Sequence, residues 1–285
     1  MSGFIDQIIS KNLNTSVKSS QTISGGCINN AYKIETDKGL FFIKWNKKEI
    51  IDMFRTEEKG LKLLNNHSPV HSPKALSYGE IDNKSYLLTE WIEKGVQKPT
   101  FWESFGRNMA RQHKVTWSHF GLDHDNYIGS LPQSNAQHKS WHSFFIEERL
   151  KPPLNLGASK GLIDTNIQHQ FDILFNRLEE LIPDEPPALL HGDLWSGNFM
   201  TNNDGKAAIF DPAVHYGHRE TELAFTQLFG GFSPDFYSYY NQEYPLEPEF
   251  KERVDIHNLY PLLVHINLFG NSYLSGIIQT LRRFS

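Results

Sequence analysis

The run His191-Gly192-Asp193-Leu194-Trp195-Ser196-Gly197-Asn198, followed by Ile209-Phe210-Asp211-Pro212, decides how this chain is read. It sets a carboxylate, an amide and a second carboxylate in order, with Asn198 five residues after Asp193 and Asp211 thirteen beyond Asn198. The apolar run Ala188-Leu189-Leu190 precedes it, and a second one, Ala207-Ala208-Ile209-Phe210, leads into Asp211. Between them Asn203-Asp204-Gly205 has the composition of a hairpin turn. The expected local structure is strand, loop and strand, with the hairpin returning Asp211 towards Asn198. The competing reading is a polar surface loop with ordinary turn residues, and the flanking strand patterns speak against it.

This order of acid, amide and acid is the one kinases use to take a proton from a hydroxyl and to hold Mg²⁺ on ATP. Phosphoryl transfer needs positioning, metal ions and charge stabilisation more than covalent work. Asp193 is therefore the candidate base. Asn198 and Asp211 are the candidate Mg²⁺ ligands, because hard cations prefer oxygen donors. His191 reads as a residue that braces the loop. Lys44, at the end of Phe41-Phe42-Ile43, is placed to hold the α/β-phosphates of ATP if a helix glutamate orients it. Glu57 shares a helix face with Ile50, Phe54, Leu61 and Leu64, where an unpaired acid would be costly, whereas Glu58 points more towards solvent. Glu57 is therefore the expected partner. The glycines of Ser24-Gly25-Gly26-Cys27-Ile28-Asn29-Asn30 let backbone N–H groups approach phosphate. Gly25, Gly26 and Cys27 form the candidate phosphate loop, although the full G-x-G-x-x-G is absent and a plain turn fits the local sequence equally well. Glu90, at the start of a hinge over residues 90–95, is a further cofactor-binding candidate.

Outward from these motifs the chain divides. Up to residue 92 it is strand-rich: an Asp37-Lys38-Gly39 turn joins two strand-like runs, a helical pattern covers 49–66, and further strands are expected at 75–78 and 85–91. Beyond it, helices are expected over 101–117, 141–150 and 165–182 and through most of 218–285. The fold class is α+β with two lobes: a nucleotide-binding lobe over 1–92, with an antiparallel sheet plus helix, and a larger, mainly helical catalytic and substrate lobe over 93–285. A cleft between lobes is a natural nucleotide site.

With 285 residues, 39% apolar and 21% charged, the composition is that of a soluble globular protein. A net charge of −5 and the lack of a long basic run give nucleic-acid binding little support. No apolar run reaches the ~18 residues of a membrane helix, and the N-terminus shows no secretory pattern. A cytoplasmic location is expected. Cys27 is the single cysteine, which excludes an internal disulfide. Its place beside backbone N–H groups raises the alternative of a redox-sensitive homodimer in place of a monomer.

Together these parts resemble the fructosamine kinase (ketosamine kinase) family, within the protein-kinase-like and aminoglycoside-phosphotransferase-like group, over nearly the whole chain. The specific pieces are Gly25-Gly26-Cys27-Ile28, Phe42-Ile43-Lys44, Met53-Phe54, His191 through Asn198, Asp211-Pro212-Ala213 and Tyr216-Gly217-His218-Arg219-Glu220. To these are added Leu228-Phe229-Gly230-Gly231-Phe232 and Asn126-Tyr127-Ile128-Gly129 with Gln133 and Asn135. Generic small-molecule kinases share the Asp193/Asn198/Asp211 pattern, but not Trp195 within it nor the Tyr-Gly-His-Arg-Glu run. The resemblance implies a bilobal protein-kinase-like fold and ATP-dependent phosphorylation of the sugar 3-hydroxyl of a small-molecule or protein-bound ketosamine, a deglycation step. Trp195 could cover the C–H face of a sugar, or pack in the core. His218 and Arg219 are candidate substrate residues or locks on the metal loop. His215 departs from the family, where an aromatic residue is more common. Two rival readings are a kinase for an aminoglycoside or choline-like substrate and a non-catalytic nucleotide-binding scaffold.

Overall fold

A computed structural model of the chain describes residues 2–23 and 28–285. The candidate phosphate loop Gly25, Gly26 and Cys27, and with it the redox-sensitive dimer through Cys27, lies outside the described residues. The chain forms two units: Met1–Phe101 with Phe199–Pro212, and Trp102–Asn198 with Ala213–Ser285. The first unit thus runs past the expected boundary at residue 92 and takes in a later hairpin.

In the first unit, strands β1 (Val17–Ile23), β2 (Asn30–Thr36), β3 (Gly39–Lys47), β4 (Ala75–Ile81) and β5 (Lys84–Glu90) form an antiparallel sheet in the order β1-β2-β3-β5-β4. The Asp37-Lys38-Gly39 turn joins β2 to β3 as expected, with Thr36 paired to Gly39. Helix α1 (Ser2–Leu13) lays Phe4, Ile5, Ile8 and Ile9 against Ile34, Ile43, Tyr86 and Leu88 of the sheet. Helix α2 (Ile51–His67) turns Phe54 and Leu61 towards Leu87. These are the i, i+3/i+4 and alternating patterns that bury one face of each element.

In the second unit, helix α3 (Phe101–His113) is followed by the hairpin of β6 (Asn126–Ile128) and β7 (Leu131–Gln133). Helix α4 (Trp141–Phe144) passes into a π-helical segment, Phe145–Leu150, and then into α5 (Lys151–Ser159), α6 (Thr165–Phe175) and α7 (Leu178–Leu181). Strand β8 (Ala188–Leu190) ends where the His191 loop begins. The chain then crosses to the first unit for β9 (Phe199–Thr201) and β10 (Ala207–Ile209), which pair around the expected Asn203-Asp204-Gly205 turn. It returns as β11 (His215–Gly217), antiparallel to β8, and closes with α8 (Arg219–Leu228), α9 (Pro234–Glu243), α10 (Phe250–His257), α11 (Leu259–Phe269) and α12 (Leu274–Phe284). Trp141, Phe144, Phe145, Phe171, Leu259, Leu263, Ile266, Ile277 and Leu281 form its main core.

Candidate active site

The first unit assembles an ion triad. Lys44 sits on β3, 9% exposed, and its Nζ lies 2.7 Å from Glu57 Oε1 on α2 and 2.5 Å from Asp211 Oδ1 just after β10. Burial disfavours the ammonium, but Asp211 and Glu57 outweigh it and hold the lysine pKa well above its usual value. Burial in turn raises Glu57 against the pull of Lys44. The choice of Glu57 over Glu58 rested on exposure, yet both side chains are 12% exposed. Their partners separate them: Glu58 takes Lys62, 2.8 Å away. Asp211 has φ +58°, a left-handed conformation uncommon outside glycine. Glu90 ends β5 with its carboxylate 3.0 Å from His71 Nε2.

The second unit holds the loop after β8. Asn198 Nδ2 donates to the backbone oxygen of Asp193 (2.8 Å) and to its Oδ2 (2.9 Å). With its nitrogen committed, Asn198 is left with its amide oxygen to offer a cation, the donor chemistry that suits Mg²⁺. The loop is braced from below by a residue the sequence reading missed. Glu222, buried on α8, accepts the N–H groups of Gly192 (2.7 Å) and His191 (3.2 Å) and pairs with His113 Nε2 (2.8 Å). The His113 Nδ1 stands 2.8 Å from the Tyr240 hydroxyl. Burial pushes the Glu222 pKa up, yet these donors prevail and leave it lowered, so the brace carries a carboxylate. An acid directly before the apolar stretch Leu223-Ala224-Phe225 was the signal available. His191 is buried and braces the loop as expected, its Nδ1 accepting the Asp193 N–H at 3.3 Å. Gly192 adopts φ +83°, and a side chain there would run into the Ala213 carbonyl; one at Gly197 would run into the Trp195 indole.

Trp195 is half-buried and stands edge-on to Phe229, ring centroids 6.1 Å apart. From Phe229 the rings continue to His265 (4.7 Å) and Tyr273 (6.1 Å), also half-buried, with Phe269 exposed beyond them. This aromatic wall beside the loop went unread because its members come from three separate segments.

His218 and Arg219 do not present themselves to a substrate. Both are buried, at 0% and 2% exposure. Arg219 grips both Glu185 oxygens (2.7 and 2.5 Å) and lies 3.6 Å over the Tyr244 ring. His218 caps α8 and bonds the Pro183 carbonyl at 3.1 Å. Neighbouring Glu220 is held by Arg253 (2.7 and 2.6 Å) and His257 (3.2 Å). His218, Glu220 and His257 lie close enough to suggest a metal site. Arg253 already neutralises the carboxylate, however, and both His218 nitrogens have partners, so the cluster reads as an internal brace.

A lysine pinned between a helix glutamate and a strand-end aspartate, with a loop aspartate bonded to an asparagine five residues on, defines a phosphotransferase of the kinase type. The fructosamine kinase family model matches residues 1–284, and the chain belongs to that family. It is 37% identical to a probable ketoamine kinase of Vibrio parahaemolyticus, over 92% of this chain and 90% of that protein. The solved structure of a protein assigned as a fructosamine-3-kinase from Haemophilus somnus 129PT superposes with a TM-score of 0.89 at 31% identity, covering 98% of this chain and 96% of the other. An aminoglycoside phosphotransferase, in ternary complex with AMP-PNP and hygromycin B, shares the fold at a TM-score of 0.67 and 16% identity, over 98% of this chain and 97% of that one. The protein is an ATP-dependent kinase with the kinase-like fold. Among the described residues no helix is long and apolar enough to cross a membrane.

Proposed function

We propose that the protein transfers the γ-phosphoryl group of ATP to the 3-hydroxyl of a ketosamine such as fructosamine or ribulosamine, free or protein-bound, and so starts its deglycation in the cytoplasm. Asp193 orients the attacking hydroxyl and accepts its proton as the oxygen–phosphorus bond forms and ADP departs. Lys44, oriented by Glu57, offsets charge on the nucleotide phosphates. Gly25, Gly26, Cys27 and Glu90 are assigned to the nucleotide side. Asn198 and Asp211 each offer the kind of oxygen that Mg²⁺ takes, and the ion supplies charge stabilisation at the phosphates when bound. Trp195 and the rings behind it give the acceptor a flat apolar surface for the C–H face of a sugar.

The observation that carries this reading is the Lys44 triad, 2.7 and 2.5 Å to its two acids, in a chain matched by the family over residues 1–284. A polycationic aminoglycoside would call for free carboxylates on the acceptor side. In the run 215–232 the two acids, Glu220 and Glu222, are buried and already bonded. An ATP-consumption screen tests the assignment: turnover with ribulosamine or fructosamine and none with aminoglycosides or choline is expected. The reverse pattern would overturn it.

A further inference from the structure

A buried polar chain in the second unit leads away from one guanidinium. Arg149, 1% exposed on the π-helical segment, gives Nη1 to the Ser134 carbonyl (2.5 Å) and Nη2 to Asn135 Oδ1 (2.6 Å). Asn135 Nδ2 donates to Asn126 Oδ1 (3.0 Å), which also receives Gln133 Nε2 (2.7 Å). Gln133 Oε1 in turn stands 2.5 Å from the Tyr260 hydroxyl. Asn126, Gln133 and Asn135 are all buried.

The direction of this chain is forced. A guanidinium can only donate. Asn135 must therefore face Arg149 with its oxygen and Asn126 with its nitrogen. Asn126 independently gives its own nitrogen to the Val214 carbonyl (2.8 Å), so its oxygen is the acceptor. Gln133 must donate to that oxygen and turn its carbonyl to Tyr260. The Tyr260 hydrogen is then committed to Gln133, and the phenol oxygen has only lone pairs left to offer.

Tyr260 is also close to the chemistry. Its half-buried ring packs in the cluster of Ile128, Ala213 and Val264. The N–H of Ala213 bonds the His191 carbonyl at 2.9 Å, which ties that cluster to the catalytic loop. Burial raises the phenol pKa; the Arg149 charge opposes the rise and the Asp193 carboxylate adds to it, so the phenol lies within the field of the base.

Resting on the ketosamine reading above, we propose that Tyr260 is a specificity-determining residue of the acceptor side, an acceptor-only oxygen that takes a hydrogen bond from an O–H or N⁺–H group of the ketosamine. Arg149, Asn135, Asn126 and Gln133 are the positioning residues that fix this polarity. Two acceptors, the Tyr260 oxygen and the Asp193 carboxylate, then select a substrate rich in donors. A carbonyl or anionic group in the same place would be refused, since it would leave lone pairs facing lone pairs.

The test is Tyr260→Phe, which keeps the ring and its packing and removes the oxygen. Wild type and variant are compared on a ketosamine, on analogues each lacking one sugar hydroxyl, and on an N-acylated, uncharged analogue. The kcat/KM for the full ketosamine should fall about tenfold, the value of one well-placed hydrogen bond, with KM for ATP unchanged; the melting temperature should fall modestly, because the buried Gln133 oxygen loses its donor. One analogue should be used equally by both enzymes: a deoxy analogue identifies a hydroxyl donor, the N-acyl analogue an ammonium. An unchanged kcat/KM, or an equal loss on every analogue, would overturn the proposal. Wild-type enzyme that phosphorylates no ketosamine would instead overturn the parent reading.

Discussion

In the proposed mechanism Asp193 and Asp211 carry different tasks, and substitution should separate them. Asp193→Asn should abolish turnover while leaving nucleotide affinity largely intact, because the base acts on the acceptor; wild-type turnover in that variant would contradict the role. Asp211→Asn should weaken Mg·ATP binding, and a nucleotide titration with unchanged affinity would count against a metal role. Lys44 links to stability as well. Removing it leaves Glu57, 12% exposed, without its cation, and breaking such a pair costs about 3 kcal/mol or more. Lys44→Met should therefore lower the melting temperature, and adding Glu57→Gln should restore part of the loss because the orphaned charge is gone. Additive losses in the double variant would show that the pair is not coupled.

At the scale of elements, the His191 loop and helix α8 form one buried polar assembly. Gly192 holds φ +83° against the Ala213 carbonyl, so Gly192→Ala should destabilise the protein by more than about 1 kcal/mol, measurable by denaturant unfolding. His218 should give the assembly a pH dependence. Burial first, then the neighbouring His257, hold its pKa down to about 4, against about 6.5 in the unfolded chain. Between those values the unfolded state binds the extra proton. Its contribution to stability is thus present above pH 6.5 and lost as pH falls through the window towards 4. Thermal melts from pH 7.5 to 4 should decline across that interval, and His218→Asn should flatten the decline; parallel curves would refute the assignment. The loop motif, the Lys44–Glu57 pair and the Asn203-Asp204-Gly205 turn were legible because local spacing fixes them. Glu222, His113 and Tyr240 were not, since three elements far apart in sequence bring them together. Spacing also could not separate a helix over 141–150 from the α-to-π change at Phe145, nor show that His218 and Arg219, polar residues in a family-specific run, are satisfied internally. Glu185 is the partner that decides it for Arg219, and the Pro183 carbonyl and the Glu220 N–H decide it for His218.

On the scale of the whole molecule, the chain crosses between its units at Asn198/Phe199 and again at Pro212/Ala213. The β9–β10 hairpin is thereby delivered to the sheet-bearing unit, where the Ile209 N–H bonds the His71 carbonyl at 2.9 Å and Asp211 reaches Lys44 at 2.5 Å. Composition placed the division near residue 92, where strand patterns give way to helical ones. It could not assign residues 199–212, whose allegiance depends on contacts with residues more than a hundred positions earlier. The proposed function has this chain phosphorylate the sugar of a ketosamine with Asp193 as base. The most direct measurement is phosphorus–proton NMR of the product formed from ribulosamine and ATP. A single phosphate on the 3-hydroxyl with wild type, and none with Asp193→Asn, is the predicted result. Phosphate on another position, or the same product from both enzymes, would contradict it.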